Sequence, residues 1–130
     1  MIVLDASAVV PLLIDPPGNT HELQARLRGE SVVHVPFLLD VEVASALRHN
    51  IIGGHLDAAR ARRAIRRLAV LPLYRWPHDR LLGRALALRH QLTAYDATYV
   101  ALAEALSATL LTRDARMATA GGHRARIEVV

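Results

Sequence analysis

The sequence contains neither cysteine nor lysine, and it has no long uninterrupted apolar run. The absence of cysteine excludes a disulfide framework and thiolate chemistry, and it is typical of a reducing cytoplasm. No stretch approaches the roughly 20 apolar residues that a membrane helix needs, and no basic residue precedes the first apolar run as in an export signal. We therefore expect a soluble, cytoplasmic protein without a membrane segment.

Because lysine is absent, all 16 basic residues are arginine, and they outnumber the 12 acidic residues to give a net charge of +4. Arginine forms a rigid fork that matches phosphate groups, so this surplus is compatible with a nucleic-acid partner. Codon bias in a GC-rich genome explains an all-arginine chain equally well. The charge alone permits a polyanionic partner without requiring one.

Short apolar runs alternate with helical patterns along the chain, without an internal repeat or a linker, which indicates a single domain over residues 1–130. This alternation predicts an α/β fold, a three-layer sandwich around a central, mostly parallel sheet of about five strands. The run Asp15-Pro16-Pro17-Gly18 predicts a break, and Pro72 and Pro77 make the third strand an edge strand or a short one. The predicted strands are Ile2–Leu4, Val32–Val35, Val70–Trp76, Thr109–Thr112 and Ile127–Val130, and the predicted helices are Asn19–Arg28, Phe37–Asn50, His55–Ala69, His78–His90 and Tyr95–Leu106.

Acidic residues stand where functional residues of such folds are found. Asp5 interrupts "MIVLDASAVV" directly after the first predicted strand, and Asp114 follows the fourth in "TLLTRDARM". Open parallel sheets carry functional residues at the carboxyl ends of strands, so these side chains converge if the first and fourth strands are neighbours. Glu42 and Asp96 lie on apolar-rich helices, in "FLLDVEVASAL" and "AYDATYVALAEAL".

Each of these acids alone has an ordinary structural explanation. Asp5 and Asp114 fit turn or cap positions, Asp96 follows Thr93 at capping-box spacing, and Glu42 fits an exposed helix position. Four such coincidences together are less common, which favours a shared site. Two carboxylates about 4 Å apart repel by about 4 kcal/mol at an effective dielectric near 20, so a cluster needs raised pKa values or cations. Without cysteine, and without histidine at metal-ligand spacing, such oxygen ligands favour Mg²⁺ or Mn²⁺ over zinc.

The strings "IVLDASAVV", "EVASAL", "TAYDATYVALAEAL" and "LLTRD" resemble the successive acidic motifs of the PIN domain family, over residues 2–130. The short, single-domain form is similar to the VapC-type toxins of toxin–antitoxin modules. "YDATYVALAE" followed by "LLTRD" is the most specific part of the match. Helix periodicity does not decide between Asp40 and Glu42, and the resemblance selects Glu42. The family's four acidic positions then correspond to Asp5, Glu42, Asp96 and Asp114.

The resemblance implies an endoribonuclease with Mg²⁺ or Mn²⁺ as cofactor, in which the metal acidifies a water and neutralises charge on the phosphate. Asp5, Asp96 and Asp114 are the implied metal ligands. Glu42 is implied to stand behind them or to orient the attacking water. The implied partners are an RNA substrate, a second copy of the chain in a homodimer, and a cognate VapB-type antitoxin that packs over the cleft and holds the toxin inactive.

Four further residues are candidates for supporting roles. Ser7 and Thr112 match small hydroxyl positions that support the site in the family. Arg113 and Arg116 flank Asp114, where each is placed to contact phosphate or to pair with the acids when no metal is bound. By contrast, Arg60 and its neighbours in "ARARRAIRRL" form a row that a solvated helix face explains as well as an RNA track does.

The aromatic residues do not form an obvious nucleic-acid motif. Trp76 and the tyrosines are too dispersed along the sequence for a base-stacking platform, and Tyr95 and Tyr99 are interpreted first as packing residues near the cleft.

Two rival functions stay open. Other magnesium-dependent phosphoryl-transfer enzymes also carry an acidic pocket after the first strand. The dehalogenase-like phosphatases have D-x-D there, whereas this chain has Asp5-Ala6-Ser7, and receiver domains need a lysine that it lacks. A non-catalytic, PIN-like binding module is the second rival, although all four acids are present.

Overall fold

In the computed structural model, the first strand lies at the centre of a five-stranded sheet. Its residues Ile2, Val3 and Leu4 are at most 3% exposed, which means that both faces of the sheet are covered. The structure describes residues 1–15 and 17–130, with only the backbone of Pro17. The strands are β1 Ile2–Leu4, β2 Val33–Pro36, β3 Leu73–Trp76, β4 Thr109–Thr112 and β5 Arg126–Val129.

The strands are ordered β3-β2-β1-β4-β5, and each neighbouring pair is parallel. The prediction of a mostly parallel sheet of about five strands is confirmed, and β3 is the predicted edge strand. Strands β1 and β4 are neighbours, with Val3 opposite Leu110. Because all strands run the same way, the residues that follow β1 and β4 lie at one edge of the sheet.

The helices form two groups that pack on the sheet. The first, third and fourth helices pack against one another. The sixth helix packs on β1, β2 and β4, and the fifth helix packs on the sixth. The two groups and the sheet form the predicted three layers. Among the helices of the described residues, none is long and apolar enough to cross a membrane. The helices are α1 Ala6–Ile14, α2 His21–Leu27, α3 Leu38–Ile52, α4 Ala58–Val70, α5 Leu82–Ala87, α6 Ala94–Leu106 and α7 Ala115–Thr119, with a 3-10 turn at Pro17–Thr20.

Helix α1 is absent from the sequence-based prediction, which placed no helix before Asn19. The segment "ASAVVPLLI" has no polar face and contains Pro11, so it shows neither helical periodicity nor good helix propensity. Its apolar surface is buried instead, and the carboxylate of Asp5 caps the helix by accepting the N–H of Ala8 at 3.0 Å. Tertiary burial and this cap outweigh the weak local signal.

Two arginines of α4 hydrogen-bond to the carboxyl end of α1. Arg60 donates to the carbonyl of Ile14 at 2.9 Å, and Arg67 donates to those of Leu13 and Leu12 at 2.8 and 3.0 Å. These carbonyls end α1 and have no partner within the helix. Arg60 and Arg67 therefore have a structural role, since they cap the carboxyl end of α1. Neither the solvated-face nor the RNA-track interpretation describes these two residues.

Several predicted boundaries were wrong by a few residues. Val70 ends α4 rather than starting the third strand, and the predicted helix His78–His90 is reduced to α5. The predicted break at residues 15–18 falls partly on Pro16, which lies outside the described residues. Asp15 closes α1 by donating its N–H to the carbonyl of Pro11 at 2.9 Å.

Candidate active site

Asp5 lies at the carboxyl end of β1 and is only 4% exposed. One carboxylate oxygen accepts hydrogen bonds from the Ser7 hydroxyl at 2.7 Å and the Ala8 N–H at 3.0 Å. The other oxygen accepts the Thr112 hydroxyl at 2.6 Å. Burial raises the pKa of Asp5, although these three donors act against the rise. The structure therefore holds a buried carboxylate with neutral donors and no guanidinium.

The two hydroxyl residues also fix the segment that follows β4. The Thr112 hydroxyl accepts the N–H of Asp114 at 2.9 Å, and the Ser7 hydroxyl accepts the N–H of Arg113 at 2.8 Å. The hydroxyl of Thr112 therefore bridges the carboxylate of Asp5 and the backbone N–H of Asp114. Neighbouring strands thus bring the two residues to one edge of the sheet, whereas the carboxylate of Asp114 bonds to Arg116.

Glu42 lies half-buried on the first turns of α3. The Tyr99 hydroxyl donates to its Oε2 at 2.5 Å. Burial raises the pKa of Glu42, and the negative charges of Asp96 and Asp5 raise it further. Tyr99 is 1% exposed, and its own pKa is raised by burial and by its bond to Glu42.

Tyr99 is a functional candidate that the sequence analysis interpreted first as a packing residue near the cleft. It follows Asp96 by three residues on α6, a spacing that puts both on one helix face. That spacing was visible in the sequence, but its partner Glu42 comes from a distant helix. Only the folded chain brings the hydroxyl and the carboxylate together.

Asp96 stands in the first turn of α6. The Thr93 hydroxyl accepts its N–H at 3.2 Å, so the predicted cap exists. The Thr93 side chain also hydrogen-bonds to the Asp96 carboxylate. Burial raises the pKa of Asp96, and the negative charge of Asp114 adds to the rise, whereas the Thr93 hydrogen bond and Arg116 act to lower this pKa. Capping and membership of the acidic cluster are compatible roles.

Asp114 differs from the other three acids because it has a cation partner. Arg116 donates to both of its oxygens, with distances of 3.1 and 2.8 Å, and this pairing lowers the pKa of Asp114. Asp114 also caps α7 by accepting the Arg116 N–H at 2.9 Å. The neighbouring Arg113 extends to the carbonyl of Asn19 at 2.5 Å. Of the two arginine candidates, Arg116 is thus the one that pairs with an acid.

Asp40, the alternative to Glu42, has a structural partner. Arg75 donates to its two oxygens at 2.7 and 3.0 Å. A bidentate ion pair joins α3 to β3 and leaves this carboxylate neutralised. Glu42 carries no such partner, which agrees with its selection from the sequence.

The donor chemistry of the cleft fits a hard divalent cation. Asp5, Glu42 and Asp96 influence one another electrostatically, and none forms an ion pair within the described part of the chain. Oxygen-rich sites of this kind suit Mg²⁺ or Mn²⁺. As the side chains stand, no three His, Asp or Glu residues among residues 1–15 and 17–130 are close enough to hold an ion. Asp114 in particular is turned to Arg116.

Comparison with known proteins adds independent findings. The family model described as "PIN domain" matches residues 2–122. The chain is 42% identical over 130 residues to "Ribonuclease VapC12" of Mycobacterium tuberculosis, covering 100% of this chain and 99% of that protein.

Two solved structures share the fold at low sequence identity. The crystal structure of Mycobacterium tuberculosis VapC20, titled a sarcin-ricin loop cleaving toxin, has a TM-score of 0.69 at 17% identity, covering 91% of this chain and 93% of that chain. VapBC2 from Rickettsia felis, bound to a DNA fragment from their promoter, has a TM-score of 0.66 at 14% identity, covering 99% and 98%. Both likenesses support the three-layer architecture.

Proposed function

The chain belongs to the PIN domain family, and from this premise we propose that its acidic cleft hydrolyses RNA phosphodiester bonds as an endoribonuclease toxin of the VapC type. The relative that matches along its whole length at 42% identity is a ribonuclease. The observation that carries the proposal is the group Asp5, Glu42 and Asp96, three carboxylates with raised pKa values and no ion-pair partner among the described residues. By contrast, the structural carboxylates Asp40, Glu104 and Glu128 are paired with arginine.

Asp5, Asp96 and Asp114 would hold the divalent cation, for which Mg²⁺ and Mn²⁺ are the candidates. When bound, such an ion supplies a water of lowered pKa and neutralises charge on the phosphate oxygens. Ser7 and Thr112 keep Asp5 in one orientation, since their hydroxyls reach both of its oxygens.

Glu42 would orient the attacking water and accept its proton at Oε1. Its Oε2 is occupied by the Tyr99 hydroxyl, so the proton-accepting oxygen is defined. A raised pKa brings a carboxyl closer to the neutral range in which a general base works well. Tyr99 acts through Glu42 and is a positioning residue.

Arg116 and Arg113 would contact the RNA backbone beside the cleft. Arg116 is 91% exposed at its side chain and has one carboxylate partner, Asp114. When a cation takes over Asp114, the Arg116 guanidinium becomes available for a phosphate oxygen.

The partners would be a VapB-type antitoxin and a second copy of the chain. An apolar groove of about 520 Å³ between α3 and α4 is lined by Leu47, Ile51 and Ile65 and bordered by arginines. It suits an amphipathic antitoxin helix with acidic flanks. The exposed apolar residues Phe37 and Val41, at the start of α3, suit a homodimer contact.

The test is cleavage of a total-RNA pool by the purified full chain in Mg²⁺, in Mn²⁺ and in EDTA. Discrete fragments that need the metal and disappear in Asp5→Asn and Asp96→Asn are expected. Glu104→Gln, a carboxylate change remote from the cleft, is the matched control and should leave the fragments unchanged. Absence of any cleavage over a broad RNA set by folded, metal-supplied protein would leave the binding-module alternative.

A further inference from the structure

Three rings, those of Tyr74, Trp76 and His34, come together on the edge of the sheet. Tyr74 and Trp76 are two residues apart on β3, so their side chains lie on the same face of the strand. Their ring centroids are 4.9 Å apart. His34 on β2 stacks near both rings, at 5.9 and 6.0 Å. The interpretation that Trp76 and the tyrosines are too dispersed for a base-stacking platform did not include His34, which the neighbouring strand places beside these two rings.

Tyr74 and Trp76 line an open cavity of about 550 Å³ between β3 and the carboxyl-terminal half of α6, where Leu102 and Leu106 form the opposite wall. The ring of Trp76 is held in place, since its indole N–H donates to Nδ1 of His34 at 3.1 Å. Tyr74 is 52% exposed and offers a free aromatic face. A rigid ring beside an exposed ring is the arrangement that stacks a flat, aromatic ligand.

Charge at the rim distinguishes possible occupants. Arg80 is exposed on this rim, and its guanidinium has no hydrogen bond or ion pair with another described residue. Asp79 also borders the cavity, and an adjoining cavity of about 190 Å³ shares Arg80 and adds Arg84, Glu104 and Arg124. Glu104 is paired with Arg84, so Arg80 and Arg124 are the exposed arginines of this rim that have no ion-pair partner among the described residues. Arginine therefore predominates, which suits a base attached to a phosphate backbone better than an apolar peptide.

The position also fits a ligand that extends from the cleft. Trp76 ends β3 and Asp5 follows β1, so both lie at the carboxyl edge of a parallel sheet. Strand β2 alone separates the two strands, and two strand spacings amount to about 10 Å. The opposite wall, at Leu102 and Leu106, lies about 9 to 15 Å along α6 from Asp96. A single strand of RNA a few nucleotides long spans such a separation.

We propose that the cavity lined by Tyr74 and Trp76, with Arg80 at its rim, binds an unpaired RNA base close to the cleaved bond. The inference rests on the proposed ribonuclease function and adds to it a site that favours single-stranded RNA. Stacking accepts any base, and the neighbouring arginines contact the backbone, so the site selects for accessibility of the base more than for its identity.

The experiment uses the one tryptophan of the chain as its reporter. Asp5→Asn protein, which does not cleave, is titrated with a short unstructured oligoribonucleotide while anisotropy of a dye on the RNA and Trp76 emission are recorded. Stacking should quench the emission as the RNA binds, and an abasic oligonucleotide of equal length should not. Tyr74→Ala should weaken binding roughly tenfold, Tyr74→Phe should restore it, and Arg80→Ala should weaken it. Arg28→Ala, an exposed arginine outside the cavity, is the control and should bind normally.

The two proposals fail in different ways. RNA that binds by anisotropy with unchanged Trp76 emission and normal affinity in Tyr74→Ala would overturn the stacking site and leave the ribonuclease intact. Absence of RNA binding together with absence of cleavage by the unchanged protein would overturn both. Dissociation of a dimer in Tyr74→Ala, seen by sedimentation without RNA, would assign the surface to a second copy of the chain instead.

Discussion

Asp5 is a buried residue and Glu104 is a half-buried one with a poorly exposed side chain, yet their pKa values shift in opposite directions. Asp5 is 4% exposed, and the Glu104 side chain is 7% exposed. Burial raises the pKa of Asp5, whereas Arg84 lowers that of Glu104 to about 2. The difference lies in the partners, because Asp5 has hydroxyl and amide donors and Glu104 has a guanidinium that bonds both of its oxygens.

The comparison shows how a functional acid is distinguished from a structural one. Glu104 joins α6 to α5 through Arg84 and accepts the N–H of Arg124 at 2.7 Å, so its charge is compensated within the fold. Asp5, Glu42 and Asp96 have no ion-pair partner among the described residues, so their charge is uncompensated. An uncompensated, buried negative charge reduces stability and favours the binding of a cation.

The largest contrast is expected in activity. Asp5→Asn should reduce metal-dependent RNA cleavage by about a thousandfold, since an amide is a poor ligand for a hard cation. Glu104→Gln should leave the cleavage rate unchanged. Initial rates on one mapped RNA fragment, at a temperature where both variants are folded, measure this contrast, and similar losses in the two variants would contradict it.

For stability, we expect the larger effect in Glu104→Gln and the smaller effect in Asp5→Asn. Glu104→Gln should lower the free energy of unfolding by about 1 to 2 kcal/mol, because a charged hydrogen-bond pair with a partly exposed partner is lost. Asp5→Asn should be neutral or stabilising. Its carbonyl still accepts the Ala8 N–H, and the hydroxyls of Ser7 and Thr112 can turn to accept from the new amide. Urea unfolding followed by circular dichroism gives both values, and a loss of stability confined to Asp5→Asn would refute the distinction.

Part of the fold and of the candidate site can be predicted from the sequence, and part cannot. The sheet, its edge strand and the four acids follow from alternation, proline positions and motif resemblance, because those signals are local. The pairing of Glu104 with Arg84, and of Asp40 with Arg75, depends on which helices and strands become neighbours. The same holds for Tyr99 and Glu42, and for α1, whose burial rather than periodicity makes it a helix.

Positioning of Glu42 is expected to have an intermediate effect. Tyr99→Phe removes one hydroxyl and keeps the ring that fills the core. It should lower kcat about tenfold with KM nearly unchanged, since the hydrogen-bonding partner of a functional carboxylate is lost. Steady-state rates in Mg²⁺ measure the split. A rise in KM with constant kcat would indicate a role in RNA binding instead.

The pH dependence of stability should separate the two regions further. Glu104, with its pKa lowered from 4.5 to about 2, contributes stability that is present above 4.5 and is lost as pH falls toward 2. Asp5 has a raised pKa, so its contribution is present below 3.8 and is lost as pH rises through the folded-state value. Glu104→Gln should flatten the acid limb of the unfolding free energy, and Asp5→Asn should flatten the decline at higher pH. Unfolding curves without metal from pH 2 to about 7 test both signs.

The smallest effect is expected for Arg116, the arginine that pairs with Asp114, and it concerns the affinity for a divalent cation. Arg116→Ala frees Asp114 and should tighten Mn²⁺ binding about two- to fivefold, because an exposed ion pair competes only weakly. Isothermal calorimetry of metal-free protein measures the change. Weaker binding in this variant would mean that Arg116 organises the site instead of competing for it.

The most direct test of the account is whether the uncompensated carboxylates bind a divalent cation. Titration of Mn²⁺ into metal-free protein, with free Mn²⁺ followed by electron paramagnetic resonance, reads binding without any substrate. Saturable binding by the unchanged protein and by Glu104→Gln, with loss in Asp5→Asn and Asp96→Asn, is the predicted result. Binding by Asp5→Asn as tight as by the unchanged protein would contradict it.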